Sequence, residues 1–127
     1  LSKQKKGTYY LIMEDDITID INIQSYMNKI IKHVPIDWDI IYIGTSQKHN
    51  TIKINEYFSS VKRIYGLYGY IINQKGATKA LKYCFPARYQ IDTELWLNYK
   101  SGNMKAYVLN NLLIKHTNKF NTDIQIR

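Results

Sequence analysis

Cysteine is almost absent: Cys84 stands alone in 127 residues. A single thiol can neither close an internal disulfide nor build a thiolate zinc site, so cohesion falls to packing and nothing marks an oxidising compartment. Long apolar runs are missing too. No stretch approaches the ~20 residues a membrane helix needs, and no positively flanked apolar leader precedes the first predicted strand, which favours the cytoplasmic side. Neither a dinucleotide-type glycine fingerprint nor a phosphate loop ending in Lys and Ser or Thr occurs. The segment Gly66-Leu67-Tyr68-Gly69-Tyr70 has the wrong spacing, so those cofactor classes drop out. Arginine is scarce, with only Arg63, Arg88 and Arg127, although 18 basic against 10 acidic residues leave a net charge of +8. The lysines that carry this charge are scattered and form no dense stripe after Lys3, Lys5 and Lys6. Isoleucine, lysine, tyrosine and asparagine make up nearly half the chain, a composition typical of AT-rich codons. Much of the charge is then codon drift, and nucleic acid is not an expected partner.

What is present fits one globular domain, with 45% hydrophobic and 22% charged residues and enough length to bury a core. The chain opens on Leu1 with a strand a few residues in, as expected for part of a longer polypeptide. Tyr9 to Glu14 is an apolar run ending in acid, which suits a strand buried on both faces. Asn22 can cap a helix carrying Ile23, Tyr26, Met27, Ile30, Ile31 and Val34 at helical spacing, stopped by Pro35. Asp39 to Ile43 is a second apolar strand ended by Gly44, completing a β-α-β unit of the kind that places ligands beyond the carboxyl ends of its strands. Residues 52–58 and 61–72 read as extended chain. Gln74 to Cys84 predicts a helix with Ala77, Ala80, Leu81 and Cys84 inward, ended by Pro86. A short helix over Thr93 to Tyr99, a turn at Gly102 and a strand over Met104 to Leu109 complete an α/β domain with a mixed sheet.

Three of the ten acids sit together as Glu14-Asp15-Asp16, at the end of a strand otherwise without charge. In extended backbone alternate side chains share a face, so Glu14 and Asp16 can converge while Asp15 faces away. Such hard oxygen donors suit Mg²⁺ or Mn²⁺, and a divalent ion would relieve their repulsion. An acidic turn whose Asp caps the next helix fits the same residues, and spacing alone leaves both open. His116 follows a late apolar run that can carry it back over the sheet edge. Its position does not separate a ligand from an ordinary surface imidazole, the kind that His33 and His49 resemble. Asp92 and Glu94 open the short third helix, either as cap and first-turn acid or with one of them as a general base in a cleft. Tyr65, Tyr68 and Tyr70 could stack on a base or sugar ring, or simply pack. Cys84 on an inward helical face reads as a small core residue.

Four blocks, taken in order, resemble one known family. Tyr9 to Ile17 is similar to an apolar strand ending in Glu-Asp-Asp, and Trp38 to Gly44 to a following Trp-Asp-hydrophobic-Gly strand. Gly69 to Leu81 is similar to a Tyr strand entering a Gly-Ala helix, followed by an Asp matched by Asp92. His116 to Ile124 is similar to a terminal segment with a Ser-Asp pair, here Thr122-Asp123. The family is glycosyltransferase family 25, which includes lipooligosaccharide sugar transferases and collagen hydroxylysine galactosyltransferases, and the resemblance spans nearly the whole chain. It implies a GT-A-like, Rossmann-related fold and transfer of galactose or glucose from a nucleotide-sugar, in all expectation a UDP-sugar, to a hydroxyl of a collagen-like hydroxylysine or a glycan. It further implies Mn²⁺ or Mg²⁺ held by an acidic motif equivalent to Asp-x-Asp, with Glu14, Asp16 and His116 on the metal side. Asp15, Tyr70 and Asp123 fall to the donor, and Asp92 or Glu94 to the base. The family's Asp is commonly followed directly by Glu, whereas here Thr93 intervenes. The β-α units that precede the acidic strand in the family, and hold much of the nucleotide, are not in this sequence, so it resembles the carboxyl-terminal part of such a domain. Two other classes remain beside the enzyme: a noncatalytic remnant acting as an interaction module, and a basic nucleic-acid binder.

Overall fold

The computed structural model describes residues 9–15, 17–19, 22–45, 47–49, 51–66, 68–112 and 114–116, of which 18, 19, 47–49, 65 and 114–116 are described by backbone alone. In chain order the elements are β1 (Tyr9–Met13), β2 (Ile17–Ile19), α1 (Ile23–Ile30), β3 (Ile40–Gly44), β4 (Gln47–His49), β5 (Ile52–Lys53), β6 (Phe58–Ser60), β7 (Arg63–Tyr65), β8 (Gly69–Asn73), α2 (Gln74–Cys84), α3 (Ile91–Ser101), β9 (Ala106–Leu109) and β10 (Ile114–His116).

Local chemistry sets the helix ends. The Asn22 side chain accepts the Ser25 N–H at 3.1 Å, and Ile23, Met27 and Ile30 bury the stripe that follows. A 3₁₀ turn over Ile31–His33 carries the chain to Pro35. The Asn73 side chain accepts the Gly76 N–H at 2.6 Å and so starts α2 directly from β8. Gly102 ends α3 in the left-handed region, φ 88°, returning its N–H to the Tyr99 carbonyl, a conformation that costs glycine nothing. The start of α3 differs from expectation. It begins at Ile91 rather than Thr93, with Gln90 at the cap and no side-chain cap bond, because Asp92 and Glu94 both fit the first turn, where the positive end of the helix favours acids.

The main sheet is mixed, in the order β1-β8-β3-β9-β6-β5. β1 and β3 both run antiparallel to β8 and therefore parallel to each other, while β9 runs parallel to β3. The expected β1-α1-β3 crossover is present, but β8 lies between its two strands. Residues in one cross-strand row share a face. Ile41, Ile71 and Tyr107 line the face covered by α1, together with Met27, Ile30 and Phe58. Ile40, Tyr42, Ile72 and Val108 line the other, packed with Leu95, Tyr99 and Cys84 of α2 and α3. The result is three layers, helix, sheet and helix pair. Two smaller ladders, β4 with β7 and β2 with β10, stand apart from the main sheet.

Two packing expectations are corrected. β1 is not buried on both faces: among the described residues it pairs only with β8, and Leu11, Ile12 and Met13 are 40–43% exposed. Leu81 of α2 is 69% exposed rather than inward, because α2 buries Gly76 and Cys84 and turns its Leu81 side to water.

At the end of the sheet where β3 begins, Asp39 is fully buried. Its carboxylate accepts from Lys75 and Lys79 of α2 and from the Lys105 N–H before β9, at 2.8 Å. Its carbonyl faces Gly76 so closely that a Cβ there would overlap it. Gly76→Ala should therefore cost about 1–3 kcal/mol of stability through overpacking. Asp39→Ala should cost roughly 3 kcal/mol, by losing charge-assisted bonds and leaving the Lys105 N–H unpaired. Urea unfolding measures both, and a stability unchanged in Asp39→Ala would show that this ion cluster braces nothing.

Candidate functional site

β1, β3 and β9 share a direction, so their carboxyl ends reach one rim of the sheet, opposite Asp39. Gly69, the first residue of β8, faces Met13 on one side and Gly44 on the other. Glu14 follows immediately, its N–H donating to the Tyr68 carbonyl at 3.0 Å and its side chain exposed. Asp15 beside it is exposed as well. Asp16 and Asp123 lie outside the described residues, and His116 is described by backbone alone. That backbone is informative, however. β10 pairs with β2 in the register His116↔Ile17, so residues a hundred positions apart meet one step from Asp16.

α3 returns to the same end of the sheet. It finishes beside the start of β9, where the Met104 N–H donates to the Asn98 carbonyl, so its first turn lies toward the rim. Asp92, Thr93 and Trp96 turn one side of that helix toward β7 and line, with Arg63 and Ile64, a surface cavity of about 170 Å³. Asp92 accepts the Thr93 N–H at 2.9 Å; it is not the helix cap. The Arg63 guanidinium lies 4.8 Å from the centre of the Trp96 ring and the Lys100 ammonium 5.6 Å, both within cation–π range. Glu94 faces the other way. It is 2% exposed and packs toward Cys84 and Asn98, and it does not line the cavity.

Beneath the cavity lies a polar core. The Tyr42 and Tyr99 hydroxyls meet at 2.5 Å, and the Tyr70 ring sits 6.1 Å from Tyr42. Tyr70 is thus half-buried in the sheet row of Tyr42. Asn98 donates to the Glu94 carbonyl at 2.8 Å and toward the Cys84 sulfur at 3.7 Å, and accepts from Asn103 at 3.0 Å. Burial pushes the Tyr42 phenol up, with the Asp92 charge adding to that. Tyr99 rises for the same main reason, reinforced by Tyr42. Burial, then the charge of Glu94, raises the Cys84 thiol, which makes it a packed core residue rather than a nucleophile.

No protein-family model matches this sequence, and no curated protein matches it either. The site must speak through its own residues. Sequence reasoning singled out Asp92 and Glu94 but missed Arg63 and Trp96, which nothing local marks, since the cavity joins β7 to α3 across about thirty residues. It also missed the role of Asp39, for which a signal existed: an acid abutting a wholly apolar strand, with lysines four apart on a later helix.

The buried phenols predict alkaline lability. Above pH ~10 an unfolded tyrosine ionises, while Tyr42 and Tyr99 hold their protons in the fold. The native state then binds more protons than the unfolded one, so stability falls as pH rises, by ~1.4 kcal/mol per pH unit for each such phenol. Urea unfolding between pH 8 and 11 should show that decline, and Tyr42→Phe should make it shallower. A slope unchanged in Tyr42→Phe would assign the alkaline loss elsewhere.

Proposed function

We propose that this chain is the metal- and acceptor-side part of a metal-dependent glycosyltransferase that moves a hexose from a nucleotide-sugar to an acceptor hydroxyl. The observation that carries the reading is a convergence at one rim. The acidic end of β1, the backbone of His116 opposite Ile17, and the first turn of α3 with Asp92 all belong to the end of the sheet where β3 and β9 terminate. Ligands of α/β sheets gather at such ends. The four sequence blocks that resemble glycosyltransferase family 25 add the reaction class.

Carboxylate oxygens with one imidazole are donors of the right hardness for Mn²⁺ or Mg²⁺. Glu14, Asp16 and His116 would hold the ion, which supplies charge neutralisation for the departing diphosphate. Asp15 and Asp123 are assigned to the nucleotide side, as is Tyr70. In the transfer, the acceptor oxygen forms a bond to the anomeric carbon as the bond from that carbon to the diphosphate oxygen breaks. The acceptor proton passes to a carboxylate. Asp92 suits this role better than Glu94, because it lines an open cavity while Glu94 is enclosed between helices. The acceptor hydroxyl belongs to a glycan or a collagen-like hydroxylysine.

A second reading, a noncatalytic interaction module, is favoured by one feature. β1 carries exposed Leu11, Ile12 and Met13 beside an apolar groove of about 460 Å³ against α1.

In the full-length polypeptide with Mn²⁺ and a UDP-hexose, Asp92→Asn should lower turnover on the order of 10² to 10⁴-fold. Mn²⁺ affinity measured by calorimetry should stay unchanged in Asp92→Asn and weaken in Asp16→Ala. Equal affinity in Asp16→Ala and the native protein would remove the metal assignment. Absence of turnover across a broad donor and acceptor panel would favour the interaction module.

A further inference from the structure

We propose that the cavity between β7 and α3 is a subsite for a single neutral sugar ring, with Arg63 and Trp96 deciding which ring it accepts. This deepens the transferase reading and rests on it for the identity of the bound ring as acceptor. Size comes first. A volume of about 170 Å³ falls below the ~300–1,000 Å³ of sites for larger ligands. That is the scale of one small polyol ring rather than a nucleotide.

Charge comes second. The walls carry one carboxylate, Asp92, and one guanidinium, Arg63, alongside the Thr93 hydroxyl. A ligand of net charge gains from one ion and loses to the other. Neighbouring ring hydroxyls gain from both, donating to the carboxylate and accepting from the guanidinium, whose five N–H groups can serve a ligand in addition to protein contacts. Ile64 and the Trp96 indole supply apolar surface for the C–H side of such a ring. The cation–π contact with Trp96, 4.8 Å from the ring centre, holds the Arg63 guanidinium at the cavity, so less entropy is lost when a ligand binds. Arg63 is thus a specificity residue beside the base.

Nuclear magnetic resonance titration of the ¹⁵N-labelled full-length protein tests this without turnover, using methyl β-D-galactopyranoside, methyl β-D-glucopyranoside and methyl β-D-glucuronide as probes. At least one neutral glycoside should shift the Trp96 indole N–H and the Ile64 and Thr93 amides, and the glucuronide should bind no tighter. Arg63→Met should weaken neutral binding at least tenfold, and Arg63→Lys, which keeps the charge but loses the fork, should weaken it similarly. In the turnover assay Arg63→Lys should raise the acceptor KM more than it lowers kcat. The proposal is overturned if neither neutral glycoside perturbs those signals, if the glucuronide binds tenfold tighter, or if Arg63→Lys binds like the native protein. Glycoside binding at the cavity in a protein without transferase activity would instead remove the transferase reading and leave the sugar subsite standing.

Discussion

The buried carboxylate of Asp39 holds the architecture together. An ion taken wholly out of water is unfavourable by several kcal/mol unless its oxygens are satisfied, and here three donors satisfy them: Lys75, Lys79 and the Lys105 N–H. They come from two places in the chain, both distant from Asp39. The lysines belong to α2, the N–H precedes β9, and Asp39 itself begins β3. The Asp39 N–H also donates to the Lys105 carbonyl at 2.9 Å, and its carbonyl accepts from the Asn73 N–H at 3.3 Å. One residue thereby fixes the starts of two parallel strands and the handover from β8 to α2. The absence of a side chain at Gly76 is what permits α2 to approach so closely.

Bracing one end of the sheet leaves the other end available for chemistry. The strands run from the Asp39 end to a rim where Gly44 faces Gly69, a place with little side-chain bulk and several chain reversals. Under that rim the hydrogen bond between Tyr42 and Tyr99 joins β3 to α3 through the core, and Asn98 locks α3 to the end of α2 through Cys84. Asp92 therefore projects from a helix that Tyr99 and Asn98 tie to the core. In the proposed transferase a base held this way would lose little freedom when an acceptor arrives, which is the physical content of preorganisation.

Much of this was legible in the sequence where the signal is local. The Asn22 cap, the α1 stripe through Met27 and Ile30, and the Gly102 stop follow from short-range chemistry, and each is where the sequence suggested. Pairing between distant segments was not legible. Nothing in Tyr9 to Met13 says that its only described neighbour is β8, so a strand that looked doubly buried lies at an edge. Leu81 misled for a related reason: helical spacing gives a face, but the close approach at Gly76 sets which side α2 presents to the sheet. At the site, the Glu14-Asp15-Asp16 cluster announced itself by charge, whereas Arg63 and Trp96 become meaningful only once β7 is laid against α3. Asp16 and Asp123 fall outside the described residues, and the register of β10 on β2 places the backbone of His116, not its imidazole.

In the proposed transferase the sheet divides into a braced end and a metal-binding end. Paramagnetic broadening by Mn²⁺ in ¹⁵N-labelled protein measures it directly, because the effect falls steeply with distance from the ion. The amides of Glu14, Gly44 and Gly69 should broaden first, while those of Asp39, Asn73 and Met104 stay sharp at the same Mn²⁺ concentration. Broadening centred on Asp39 and Asn73, or spread evenly over both ends, would show that the rim does not hold the ion.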